Sequence, residues 1–156
     1  DDAPEAGYEN WRKCVDGLEI KVPLLIENTA GGNNAMMRYL ESIQATWGAL
    51  KGSDNLERVG FCLDTCHAHA AGLDLTTVVD DVRSLTGRID LIHCNDSADA
   101  PGSGRDRHAN WGQGLIPKEV LLNLLNDAGA NVILETPPAA HREELLWLRD
   151  ALSGRP

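Results

Sequence analysis

Short apolar runs alternate along the chain with longer segments in which apolar residues recur every three or four positions. The apolar runs predict strands of a buried parallel sheet, and they cover 22–26, 59–63, 89–92 and 131–134. The segments of helical period predict amphipathic helices over about 3–17, 34–50, 76–86, 117–128 and 142–152. The expected inward face of the last helix consists of Leu145, Leu146, Leu148 and Leu152. One helix followed by four strand–helix units favours an α/β fold with right-handed crossovers.

Four strand–helix units in 156 residues make about half of a TIM (β/α)8 barrel, which typically needs about 250 residues. An open doubly wound sheet is the alternative architecture. No Gly-x-Gly-x-x-Gly sequence follows a predicted strand, so nothing indicates a dinucleotide site. By length, 1–156 is one domain. Because it begins at Asp1 without an initiator Met, we expect a partial sequence in which the first strands of a barrel are absent.

An ionisable residue follows each predicted strand directly. These four residues are Glu27, Asp64, His93 and Glu135. Parallel strands direct their carboxyl ends to one side, so the four side chains can converge. Three carboxylates and an imidazole would repel one another there, and a divalent cation removes that repulsion.

A second histidine, His67, lies three residues after Asp64, and a polar loop is expected to bring its imidazole over the same opening. The pattern is good metal-ligand spacing. The alternative interpretation is an acid that caps the next turn, accompanied by solvated histidines.

Residues 93–115 show no apolar periodicity, and a loop this long in a compact domain is usually functional. Asp106 and His108 are two residues apart, so in an extended loop both can bind one ion. Arg105 and Arg107 then face elsewhere, where they can meet phosphate. The alternative is a solvated loop with local salt bridges.

The residues therefore predict two ligand groups on one face of the fold. The first contains Glu27, Asp64, His93 and Glu135, and the second contains His67, Asp106 and His108. Mixed carboxylate and imidazole donors suit zinc, manganese or iron, and the imidazoles of the second group favour zinc. Clustered ions with an open position, close to arginines, suit in-line attack on a phosphodiester.

Composition changes this interpretation only slightly. The formal net charge of −10 argues against electrostatically driven binding to nucleic acid, unless bound cations neutralise the candidate ligands. The four Cys residues lie in or beside apolar segments, so buried thiols are expected, with zinc ligation by Cys62 and Cys66 as the minor alternative. No apolar run is long enough to span a membrane, and we expect a cytoplasmic protein.

Five motifs, taken together and in order, resemble endonuclease IV (AP endonuclease family 2). They are 25–31 (LIENTAG), 62–68 (CLDTCHA), 93–97 (HCNDS), 106–108 (DRH) and 134–137 (LETP). The combination covers most of the chain and is highly specific. The resemblance implies a barrel of the xylose-isomerase-like type, of which this chain is about the C-terminal half.

The same resemblance implies a zinc-dependent endodeoxyribonuclease of base excision repair. Such an enzyme binds double-stranded DNA and hydrolyses the phosphodiester 5′ to an abasic site, which leaves a 3′-hydroxyl and a 5′-deoxyribose phosphate. Glu27 resembles the carboxylate that bridges two zinc ions, and Glu27 and Glu135 are the expected catalytic residues. The seven residues of the two ligand groups match the family's positions for metal ligands.

The family holds three zinc ions, and two histidines from earlier strands complete one of the sites. This chain contains no match to those histidines. We therefore expect at most two well-formed zinc sites, with manganese as an alternative metal, and no activity from the chain alone. The full-length form is expected to be a monomer.

Two other function classes fit part of the pattern. A divalent-metal sugar isomerase or epimerase on the same barrel uses a similar quartet of strand-end ligands, but it does not need His67, Asp106 and His108. A truncated module without catalytic activity is the other alternative, because half a barrel exposes two sheet edges.

Overall fold

The computed structural model describes residues 4–32 and 34–153. The helices are α1 (Pro4–Asp16), α2 (Leu40–Leu50), α3 (Thr65–Ala71), α4 (Val78–Thr86), α5 (Lys118–Ala128) and α6 (His141–Leu152). The strands are β1 (Leu24–Glu27), β2 (Val59–Asp64), β3 (Leu91–His93), β4 (Asp96–Ser97), β5 (His108–Ala109) and β6 (Asn131–Ile133). Short 3-10 turns cover Leu56–Arg58 and Pro138–Ala140. The alternation of parallel strands and helices confirms the predicted α/β class.

The four predicted strands form one parallel sheet in the order β1-β2-β3-β6. Within the described part of the chain, β1 and β6 are its edges. Asp64 is paired with His93, so the carboxyl ends of the strands lie along one side of the sheet. All six residues of β2 are buried, as expected for a strand covered on both faces.

The two faces of the sheet have different surroundings. Phe61 packs edge-on against Trp47 of α2, with ring centroids 6.1 Å apart. Ile26, its neighbour in register, is buried on the same face. Because side chains alternate along a strand, Glu27 and Asp64 point to the opposite face, here called the inner face. The helices therefore cover the apolar face and leave the inner face for polar groups.

The long segment after β3 is more ordered than the sequence predicts. It contains the antiparallel pair β4 and β5, in which Ser97 lies opposite His108. The carboxylate of Asp96 is fully buried and, besides the Ser97 N–H at 2.8 Å, accepts hydrogen bonds from three backbone N–H groups further along the segment at 2.9–3.0 Å. These three donors belong to Gly112, Gly114 and Ile116. A single carboxylate thus fixes the segment that follows His108.

Three local predictions were wrong. The segment after Asp64 that carries His67, predicted to be a loop, is the helix α3 (Thr65–Ala71). The helix predicted from 34 begins at Leu40, and the carbonyls of Met36 and Met37 accept the Thr46 hydroxyl and the Thr29 N–H instead of helical N–H groups. On α6, Leu145 and Leu146 are 57% and 41% exposed, while Glu144 faces inward. Position 3, the first residue of the predicted N-terminal helix, lies outside the described residues.

In residues 4–32 and 34–153, no helix combines the length and the apolar content that a membrane crossing requires.

Candidate metal centre

The first predicted ligand group comes together at the carboxyl ends of the strands. Glu27, Asp64, His93 and Glu135 each offer a ligand atom, and these atoms all lie within 4.8 Å of one another. His93 Nδ1 lies 3.0 Å from Glu27 Oε1 and 3.1 Å from Glu135 Oε2. Four ligand atoms from four strand ends therefore lie close enough together to bind a single ion.

The second predicted group lies directly beside the first. Asp106 bridges the two imidazoles, with Oδ2 at 3.1 Å from His67 Nε2 and Oδ1 at 3.0 Å from His108 Nε2. Asp64 lies between the groups, with Oδ1 at 4.0 Å from His67 Nδ1 and Oδ2 at 3.8 Å from His108 Nε2. The structure thus brings together all seven predicted ligands, and their binding of a metal stays a prediction.

The position of His67 follows from the start of α3. Asp64 caps this helix, because its Oδ1 accepts the backbone N–H of His67 at 2.7 Å. His67 Nδ1 lies 2.8 Å from the carbonyl oxygen of Asn28, and a carbonyl only accepts. Nδ1 therefore carries a proton, and Nε2, which faces Asp106 Oδ2 at 3.1 Å, is the ring nitrogen that can coordinate a metal ion. Asp64 therefore caps α3 and is at the same time one of the candidate metal ligands.

Asn28 also ties the first two strands together at the centre. Its side chain donates to the Asp64 carbonyl at 3.0 Å and accepts the Asp64 N–H at 2.7 Å. Asn28 is 1% exposed, so both bonds are sheltered from water. The sequence assigned no role to Asn28 or to the buried Asn95. The sequence signal that could have identified them is an asparagine one or two residues after a candidate ligand at a strand end, as Asn28 follows Glu27 and Asn95 follows His93.

The electrostatics of the cluster favour positive charge. Hydrogen bonds with Cys62 and then Glu27 raise the pKa of His93 to about 10. Burial lowers the pKa of His67, but Asp64, the Asn28 carbonyl and Asp106 outweigh it and raise that pKa overall. Burial raises the pKa of Asp64. A site that attracts protons in this way fits a divalent cation, which satisfies the same carboxylates while it leaves the imidazoles neutral.

Two buried thiols border the cluster. Cys62 has its sulfur within 4.8 Å of ligand atoms of Glu27 and His93, and Cys66 has the same relation to Asp106 and His108. Burial raises the pKa of Cys66 to about 11, which keeps this thiol protonated at neutral pH. All four cysteines are free, and Cys62, Cys66 and Cys94 are buried as the sequence predicts, whereas Cys14 is exposed.

The two predicted DNA-binding arginines are exposed on the loop between β4 and β5, but they are already paired. Arg107 makes two hydrogen bonds of 2.5 Å to the carboxylate of Asp99. Arg105 lies 3.6 Å from the same carboxylate. The side chain of Arg107 remains 59% exposed and that of Arg105 69% exposed. The alternative of local salt bridges is therefore present, and contact with phosphate stays a prediction.

Comparison with known proteins adds independent support for the fold. The chain matches the family model of xylose isomerase-like TIM barrels over residues 2–151. It is 49% identical over 150 residues to a probable endonuclease 4 from Mycobacterium leprae, covering 96% of this chain and 58% of that protein. A probable endonuclease 4 from Mycobacterium tuberculosis is 47% identical over 146 residues, covering 94% of this chain and 56% of that protein.

A solved structure agrees with these matches. The crystal structure of endonuclease IV from Thermus thermophilus superposes with a TM-score of 0.75 and 32% identity, over 97% of this chain and 58% of that one. The chain thus spans about 58% of the length of relatives that it matches. These findings confirm the resemblance to endonuclease IV and the partial barrel predicted from the sequence. The chain belongs to the family of xylose isomerase-like TIM barrels.

Proposed function

We propose that the centre binds two zinc ions. The first ion would be held by Glu27, Asp64, His93 and Glu135, and the second by His67, Asp106 and His108. The donor chemistry supports zinc, because imidazole nitrogens and carboxylate oxygens are its usual ligands beside thiolates. Manganese is the alternative metal, since the first group is rich in carboxylates.

The proposed reaction of the whole protein is hydrolysis of the phosphodiester 5′ to an abasic site in double-stranded DNA. Its products are a 3′-hydroxyl and a 5′-deoxyribose phosphate. The observation that carries the proposal is the contact of two ligand groups through Asp64 in a protein similar to endonuclease 4. When bound, the metal ions supply a water nucleophile at neutral pH and neutralise charge on the phosphate.

Glu27 and Glu135 are the proposed catalytic residues. Glu27 Oε1 lies 3.0 Å from His93 Nδ1 and 3.4 Å from His67 Nδ1, so this carboxylate stands between the two groups. The side chains of Glu27 and Glu135 are 33% and 42% exposed, so both can reach a substrate. In this position they can orient the attacking water and accept its proton.

Arg105 and Arg107 are proposed to bind DNA phosphate groups. Because Asp99 already pairs with both, phosphate must compete with one carboxylate for two guanidinium groups. Both guanidinium groups are mostly exposed, so a phosphate group can approach them, whereas the Asp99 side chain, at 11% exposed, would lose its charged partners. We further propose that the whole protein is a cytoplasmic monomer that acts in base excision repair.

We propose that the 156-residue chain does not cut DNA by itself. Glu27 is the one residue of this chain that we propose as a ligand for a third ion. The chain also spans about 58% of the length of the Mycobacterium leprae relative. A chimera tests the function directly, with the chain replacing its matching residues in the Mycobacterium leprae protein. We expect this chimera to incise a duplex with one abasic site, and the isolated chain to leave the duplex intact.

His108→Ala separates the proposal from its alternatives. In the isolated chain, elemental analysis should give two zinc ions per molecule, and one after His108→Ala, because only the second group loses a ligand. The same change should abolish incision by the chimera. A sugar isomerase that uses the first group alone would bind one ion in both forms. A chimera that cuts abasic DNA equally well with His108→Ala would refute the two-ion centre.

A further inference from the structure

One buried amide contacts both ligand groups. Asn95, two residues beyond His93, is fully buried. Its Nδ2 donates to Asp64 Oδ2 at 2.6 Å and more weakly to Glu135 Oε2 at 3.4 Å. The same nitrogen lies 3.5 Å from His108 Nε2. Asp64 and Glu135 belong to the first group and His108 to the second, so the two groups share this neighbour.

The orientation of the Asn95 amide is fixed by its surroundings. Its Oδ1 accepts the backbone N–H of Glu135 at 2.8 Å. Because that N–H can only donate, the amide oxygen must face it, and the NH2 group must face the carboxylates. The Asn95 backbone is held as well, since its N–H and carbonyl both bond to the Thr65 hydroxyl at 2.9 and 2.6 Å.

An uncharged donor suits this position better than any charged side chain. A fourth carboxylate would add repulsion next to Asp64 and Glu135, and an ammonium would compete with a metal ion for the same oxygens. The amide instead satisfies Asp64 Oδ2, while the His67 N–H satisfies Oδ1 at 2.7 Å. Both oxygens of a buried carboxylate are thereby fixed in direction before any ion binds.

We propose that Asn95 is a positioning residue that holds Asp64 and Glu135 in the geometry required for metal binding and aligns them with His108. This inference rests on the proposed function, because it gives Asn95 a task at the proposed zinc centre. Partners that orient metal ligands typically change metal affinity by about 10–100-fold when they are removed. Asn95 donates to one ligand side chain strongly and to a second weakly, so we expect an effect within that range.

The test is a zinc titration of the metal-free 156-residue chain against a chromophoric chelator. We expect Asn95→Ala and the nearly isosteric Asn95→Leu to weaken zinc binding by about 10–100-fold. Asn55→Ala is the matched control, since the Asn55 amide donates to the carbonyls of Val15 and Leu18, away from the ligands. We expect the control to leave zinc affinity unchanged, and cobalt absorption spectra should change only in the Asn95 variants.

Each outcome of the titration supports or overturns the inference. Folded Asn95 variants that bind zinc as tightly as the unaltered chain would overturn the role of Asn95 and leave the proposed function standing. An unaltered chain that binds no zinc would overturn both. If neither variant folds, NMR of the unaltered chain decides: we expect the Asn95 NH2 protons to exchange slowly and to shift when zinc is added. Fast exchange without a shift would overturn the proposal.

Discussion

Glu144 is the buried carboxylate that joins three segments near the candidate centre. It is 7% exposed on α6. Its Oε1 accepts the Trp111 N–H at 2.8 Å and the Asn110 Nδ2 at 3.1 Å, and its Oε2 accepts the Thr136 hydroxyl at 2.6 Å. Trp111 lies three residues beyond His108, and Thr136 directly follows Glu135. Loss of this carboxylate should therefore lower the free energy of unfolding.

The size of the effect follows from the donors that are left behind. Glu144→Ala leaves the buried Trp111 N–H and Thr136 hydroxyl without this acceptor, at about 1–3 kcal/mol each. Removal of a buried charge recovers part of its desolvation free energy. We therefore expect a net loss of about 2–4 kcal/mol. Glu144→Gln keeps an acceptor for Trp111, and the Thr136 hydroxyl can rotate to accept from the new amide, so we expect about 1 kcal/mol.

Urea unfolding followed by circular dichroism measures this order. Glu143→Ala is the control, because it removes the neighbouring carboxylate from the same helix at an exposed position. We expect the loss to rise from Glu143→Ala to Glu144→Gln to Glu144→Ala, with an unchanged dependence on urea concentration. A Glu144→Ala variant within about 0.5 kcal/mol of the Glu143→Ala control would refute the reasoning, because unpaired buried donors should cost more.

Two further predictions concern stability. A Cβ at Gly114 would collide with the Asp96 carboxylate and the Ser97 carbonyl, so Gly114→Ala should destabilise by about 1–3 kcal/mol. Gly48→Ala lies in open space on α2 and should stabilise the protein by about 0.5–1 kcal/mol. Thermal unfolding measures both variants, and a shift of the melting temperature in the same direction for both would contradict these two predictions. Burial opposes ionisation of Asp90, but bonds from Arg88 and the Phe61 N–H outweigh it and lower the pKa of Asp90. The stability that this carboxylate contributes is present above the pKa of Asp90 in the unfolded chain, and it is lost as the pH falls through the lower pKa of the folded state. Asp90→Asn should therefore weaken the dependence of the free energy of unfolding on pH below about pH 4.

The sequence alone determined the four strands of the parallel sheet and the identity of the candidate ligands. A continuous apolar run such as 59–63 favours a strand that is buried on both faces, and this can be read from the residues of the run themselves. Asp64 and His93 follow such runs directly, so the parallel sheet itself aligns them, and the register pairs them as neighbours. The five motifs carried the family resemblance, and the comparisons confirm it.

Tertiary structure decided what depends on partners far away in the chain. The helix α3 forms where a loop was predicted because Asp64 caps its first turn. The carbonyl of Asn28, which follows β1, holds the ring of His67 in that helix. His108 reaches the centre because β5 pairs with β4, a short pairing that apolar periodicity cannot reveal.

The same physical reason explains the errors on α6. Leu145 was expected inside because leucine prefers burial, whereas burial of a lone carboxylate such as that of Glu144 is costly. Asn110, Trp111 and Thr136 supply three donors from two other segments, and they reverse that preference. Composition fixes which groups seek burial or a cation, whereas only the folded chain fixes which distant donors make the burial of a charge favourable.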